Sequence, residues 1–151
     1  MLKKVPAGLD QIIKTFGSLD DPKFEQKNIV SITLPYPIRY AGKVVKTTRC
    51  HRLAADHFMA AFEEINRNGL TQYANDYSGI YNRRPIRGRA SHPSTHSWGI
   101  AVDLEAVDFP LDSKKRLPDG IVAAFQKYGF FYGGDFVSRK DPMHFQLATH
   151  Y

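Results

Sequence analysis

The stretch Ile100-Ala101-Val102-Asp103-Leu104 is the feature that most constrains what this chain can fold into. Its apolar residues ask for a buried strand, yet a carboxylate sits among them. A buried charge is costly unless it is paired or bound to a metal. Any fold that accepts this strand must therefore bring a partner to Asp103. Alternation along a strand sets Ala101 and Asp103 on one face and Ile100, Val102 and Leu104 on the other. Small Ala101 leaves space beside the carboxylate. Gly99 lets the backbone bend, so that the His96 imidazole can turn back to meet it.

Cysteine usage narrows what that partner can be. The chain has one cysteine, Cys50, which excludes an intramolecular disulfide framework and a cysteine-based zinc finger. A metal site here must be built from His, Asp and Glu. With 151 residues, 42% hydrophobic and 24% charged, the chain fits a single domain, residues 1–151, with its own core. The net charge of +6 suits a polyanionic partner, whether nucleic acid, anionic membrane or bacterial cell wall. The start, MLKKVPAGLDQIIKTF, carries no secretory apolar run, and no membrane span follows. The expectation is synthesis in the cytoplasm without a signal peptide, with action elsewhere requiring release or delivery.

Periodicity predicts a helix over 7–16, ended by Gly17, and a clearer one over 52–67, RLAADHFMAAFEEINR, with Leu53, Phe58, Ala61, Phe62 and Ile65 on one face. Strands are expected at 28–34 and 43–48, joined through the hairpin-like connection PYPIRYAG. YANDYSGIY (73–81) reads as a strand or strand-turn, and NRRPIRGRASHPSTHSWG as loop. A strand at 100–106 is followed by a turn region, then by a helix over 119–128 with Asp119 as N-cap and Gly129 as terminator. GFFYGGDF and MHFQLA (143–148) are late strands. With no repeat or linker, this is a single α+β domain.

The chemistry-bearing residues fall late in the chain. Imidazole nitrogen and carboxylate oxygen both bind zinc at about 2 Å, and a catalytic zinc takes three protein ligands. His96, Asp103 and His144 are the candidates. Asp141 lies three residues before His144, and Pro142 keeps the chain extended or turned between them. Asp141 is thus placed to act as general base for an attacking water. His51, His57, His92 and His150 read as structural or surface histidines; Pro93 argues against a helix that would pair His92 with His96.

The run Ser94-Thr95-His96-Ser97-Trp98-Gly99-Ile100-Ala101-Val102-Asp103, an S-x-H-x-x-G-x-A-x-D pattern, resembles the signature of the zinc D-Ala-D-Ala carboxypeptidase and L-alanyl-D-glutamate endopeptidase family. Asp141-Pro142-Met143-His144-Phe145 resembles that family's second motif, and YSGIYNRRPIRG (77–88) its upstream arginine segment. The three hold their order across 73–148. The resemblance implies the hedgehog/DD-peptidase fold, a small mostly antiparallel sheet with flanking helices. It implies zinc held by His96, Asp103 and His144, with Asp141 as base. Arg84 corresponds to the arginine that steadies a substrate carboxylate or polarises the scissile carbonyl, with Arg83 and Arg87 as competitors, and Ser94 bonds near the site. Trp98 packs beneath it. Two positions depart from the pattern: Phe136 follows Gly-Gly where a tryptophan is frequent, and Gln146 stands where glutamate is frequent.

The implied activity is hydrolysis of an amide bond in the peptidoglycan stem peptide, as L-alanyl-D-glutamate or cross-link endopeptidase or as D-Ala carboxypeptidase, by a monomer. A phage or prophage endolysin fits that description. Two rival readings stand beside it. One is a non-catalytic zinc-binding module of the same fold. The other is a basic nucleic-acid-binding domain using RRPIRGR with Tyr73, Tyr77 and Tyr81, which leaves the His–Asp–His set unexplained.

Overall fold

A computed structural model describes residues 1–151. Four helices form, α1 (Gly8–Phe16), α2 (Phe24–Asn28), α3 (Ala55–Arg67) and α4 (Asp119–Lys127); three answer the expected periodicities, and the short α2 was not expected. Strands β1 (Ile29–Tyr40) and β2 (Lys43–His51) form one antiparallel hairpin, and β3 (Pro85–Ile86) and β4 (Arg89–Pro93) a smaller one. A third antiparallel sheet has β7 (His144–Gln146) at its centre, between β5 (Ala101–Asp103) and β6 (Phe131–Tyr132). This is the expected α+β class, with small antiparallel sheets and flanking helices. No helix is long and apolar enough to cross a membrane.

The helices follow the pattern closely, with corrections at their ends. α3 buries His57, Phe58, Ala61, Phe62 and Ile65 on one stripe. It starts at Ala55 rather than 52, because His51–Ala54 close a turn through Ala54 N–H to the His51 carbonyl at 2.8 Å. α4 is entered through Pro118, and Asp119 lies in its first turn without a side-chain cap, so Asp119 is not the N-cap. The other end matches expectation: Gly129 takes φ 91°. There Gly129 N–H reaches the Gln126 carbonyl at 3.1 Å and Phe130 N–H the Phe125 carbonyl at 3.2 Å, the Schellman pair that satisfies two end carbonyls.

Several segments depart from the sequence reading: the strand expected over 100–106 ends at Asp103, and of GFFYGGDF only Phe131–Tyr132 is strand before the 3-10 turn Gly133–Asp135. PYPIRYAG is not a connection; β1 runs on to Tyr40, and only Ala41 and Gly42 turn, at φ 50° and 78°. The prolines sit in the bulge between Thr33 and Ile38, where no ladder N–H is missed. Residues 73–81 are not a strand. A 3-10 turn, Thr71–Tyr73, leads into irregular chain held by lone bridges, Arg39 with Asp76 and Tyr77 with Leu104. The supposed loop 82–99 instead contains the β3–β4 hairpin and a 3-10 turn, Thr95–Trp98.

The register of the third sheet sets the rest. Val102 faces Phe145 across β5 and β7, and both point into the core. Phe145 is stacked between Phe125, 4.4 Å between ring centroids, and Tyr132, at 4.8 Å. Such pairs add roughly 0.5–1.5 kcal/mol each beyond their buried area. The opposite pairs, Asp103 with His144 and Ala101 with Gln146, must then share the other face.

Candidate metal centre

On that second face the burial problem of Asp103 is resolved. His144 Nδ1 lies 2.7 Å from Asp103 Oδ1, directly across the strand pair. His96 arrives from the 3-10 turn after β4, with Nε2 3.2 Å from Asp103 Oδ2. Ligand atoms of His96, Asp103 and His144 all lie within 4.8 Å of one another, and all three residues are buried. The structure thus brings the three sequence-derived candidates into one buried cluster.

Local structure explains how His96 gets there. Ser94 accepts from the His96 N–H and starts the turn, and Gly99 ends it in the left-handed region, φ 70°. Gly99 is also pressed against the β1–β2 hairpin: a Cβ there would lie 2.8 Å from the His51 nitrogen. The His96 Nδ1 donates to the Ile80 carbonyl at 2.9 Å, which can only accept. Its Nε2 thus carries the lone pair, and that atom is buried with no hydrogen-bond partner despite its nearness to Asp103. A buried, unpartnered imidazole lone pair beside a carboxylate fits a cation, as metal-ligating histidines are held through their outer nitrogen.

Asp141 is fixed in a turn. Its N–H donates to the Gly133 carbonyl at 3.0 Å, and its carbonyl accepts from the His144 N–H at 3.0 Å. Its Oδ1 is buried and unpartnered. Burial pushes the Asp141 carboxyl above its ordinary pKa, and Asp103 adds to this, against the opposing pull of His144. For Asp103, burial opposes ionisation, but the His96 and His144 rings outweigh it and hold the carboxyl well below the usual range. Burial opposes protonation of His144, yet the Asp103 carboxylate beside it raises the pKa.

A cavity of about 590 Å³ opens over Asp103, Asp141 and His144. Arg84, Arg87 and Ser94 also line it; Arg84 NH2 approaches Asp103 Oδ2 to 3.8 Å. Arg83 points away to the Leu19 carbonyl, so it does not compete with Arg84 for the site. Trp98 is buried and donates to the Gly17 carbonyl at 2.9 Å, a packing role. His51 and His57 are bonded to backbone within the core, and burial pushes His51 down to about 4. His150, read as a structural or surface histidine, is exposed and also lines the cavity. Gln146, noted from the sequence only as standing where glutamate is frequent, and Thr95, given no role there, bond each other at 3.0 Å beside His144. Alternation along β7 was the available signal for Gln146.

The Tyr73, Tyr77 and Tyr81 stripe does not form a stacking platform. Tyr77 is buried, and Tyr81 donates to Glu25 beneath the Arg49 guanidinium.

Residues 87–147 match the family model described as D-alanyl-D-alanine carboxypeptidase, a family of zinc peptidoglycan metallopeptidases. The resemblance read from the motifs holds over that segment, which contains His96, Asp103, Asp141 and His144. A search of curated proteins gave no match.

Proposed function

From the similarity of residues 87–147 to that peptidase family, we propose that this protein is a zinc-dependent peptidase that hydrolyses an amide bond in the peptidoglycan stem peptide. The observation that carries the reading is the buried His96–Asp103–His144 set with its unpartnered His96 Nε2. A histidine pair with one carboxylate is a donor set that zinc accepts in catalytic sites. Zinc held there supplies Lewis-acid polarisation of the scissile carbonyl and makes water acidic enough to ionise near neutral pH.

The chain's own groups do the rest. Asp141, unpartnered at Oδ1, takes the proton of the attacking water and returns it to the leaving amine. Arg84, at the edge of the cavity, offers positive charge to the developing oxyanion. Arg87, Arg89 and Arg139 line the same cavity, and none is in a salt bridge with a carboxylate. They favour a substrate rich in carboxylates, as a stem peptide is. Phe131, Phe136 and Leu111 supply an apolar wall for its methyl groups.

The test is digestion of purified peptidoglycan with zinc-loaded and chelator-treated protein, read by product mass. Chelator-sensitive release of stem-peptide fragments is expected. Loss of a terminal alanine identifies a carboxypeptidase, and internal cleavage an endopeptidase. Zinc binding with no product from any peptidoglycan would favour the non-catalytic module instead.

A further inference from the structure

His144 presents its two nitrogens to different chemistry. Nδ1 faces the Asp103 carboxylate at 2.7 Å, while Nε2 faces Gln146 Oε1 at 3.0 Å and Thr95 Oγ1 at 3.4 Å. The orientation of the Gln146 amide is fixed by its surroundings. Its NH₂ group donates to the carbonyls of Ala148 at 3.2 Å and Tyr151 at 3.3 Å. Its oxygen accepts from the Thr95 hydroxyl at 3.0 Å. A flipped amide would set an oxygen against two carbonyls, so Oε1 stays an acceptor.

An acceptor facing Nε2 is satisfied only by an N–H on that atom. Neutral His144 then has its lone pair on Nδ1, aimed at a carboxylate oxygen. Two acceptors that close repel unless a proton or a metal cation lies between them; a proton there makes His144 an imidazolium, and a metal takes that proton's place. We propose that Gln146, braced by Thr95, is a positioning residue that fixes the His144 tautomer and makes Nδ1 its metal-binding nitrogen. His96 presents the other nitrogen, Nε2, because the Ile80 carbonyl holds its Nδ1. The two imidazoles thus bind through unlike nitrogens, each dictated by an acceptor on its far side. The inference rests on the metal-centre reading above.

The experiment combines zinc affinity with nitrogen assignment. In zinc-loaded, ¹⁵N-histidine-labelled protein, long-range ¹H–¹⁵N spectra are expected to show His144 protonated at Nε2 and His96 at Nδ1. Gln146→Leu is expected to weaken zinc binding 10–100-fold in chelator competition, the usual effect of losing such an outer partner. Gln146→Glu keeps an acceptor and is expected to restore tight binding, which a purely packing role would not require. Thr95→Val, a smaller change, is expected to weaken binding less than Gln146→Leu and serves if that variant fails to fold. A proton on His144 Nδ1 in the zinc-loaded protein, or a folded Gln146→Leu that binds zinc as tightly as the parent, would overturn the proposal. Zinc bound through His144 Nε2 sinks this inference and leaves the metal centre standing. A parent protein that binds no zinc removes both.

Discussion

Asp103 anchors the residue scale, because its charge is tolerable only where His96 and His144 meet it. Replacing any of the three by alanine should abolish zinc binding and hydrolysis together. Asp141→Asn should keep about one zinc per chain, measured by metal analysis, while turnover falls roughly 10²–10⁴-fold, the range for losing a general base. The two aspartates also predict opposite pH behaviour. Asp103 has a lowered pKa in the folded protein, so its contribution to stability is present above its unfolded value and lost as pH falls through the folded one. Asp141 has a raised pKa, so its contribution is present below the unfolded value and lost as pH rises through the folded one. At pH 7 its ionised form therefore opposes folding. Asp141→Asn should raise the melting temperature of metal-free protein at pH 7 and leave it little changed near pH 3.

At the scale of elements, two glycines hold the site-bearing turns where side chains cannot go. A Cβ on Gly133 would lie 2.4 Å from the Asp141 carbonyl oxygen and 3.1 Å from His144 Cβ. Gly133→Ala should therefore cost about 1–3 kcal/mol in urea unfolding and weaken zinc binding, since it displaces both Asp141 and His144. Gly99→Ala meets both a left-handed backbone, costing about 1–2 kcal/mol, and the hairpin backbone at 2.8 Å. It should destabilise the fold at least as much. These glycines were legible unequally. Gly99 stood out because it separates His96 from the strand. Gly133 did not, since its close approach is to residues eight and eleven positions later and no local pattern records that. The same limit explains residues 73–81: Ala74, Tyr77 and Ile80 are buried three residues apart, by irregular chain that pairs only at isolated bridges rather than as one face of a strand.

Across the whole molecule, the candidate metal centre lies on one face of a sheet whose other face is the aromatic core. Zinc binding should therefore stabilise the fold as well as the site. At free zinc one hundred times its Kd the gain is about 2.7 kcal/mol, which for a chain of this size raises Tm by several degrees, about 2–4 °C per kcal/mol. Chelator should reverse the shift, and Asp103→Ala should show none. The sequence by itself determined the α+β class and the main helices, and it singled out His96, Asp103, His144 and Asp141 as candidates. The first two follow from periodicity; the candidates follow from a charge in an apolar strand and from the motif resemblance. Only the tertiary structure decided the cross-strand register that sets Asp103 against His144, the turning of Arg83 away and Arg84 inward, and the Ile80 and Gln146 acceptors behind the two imidazoles. Each of these depends on contacts between residues distant in the chain, and on backbone carbonyls that every residue carries and no sequence pattern distinguishes.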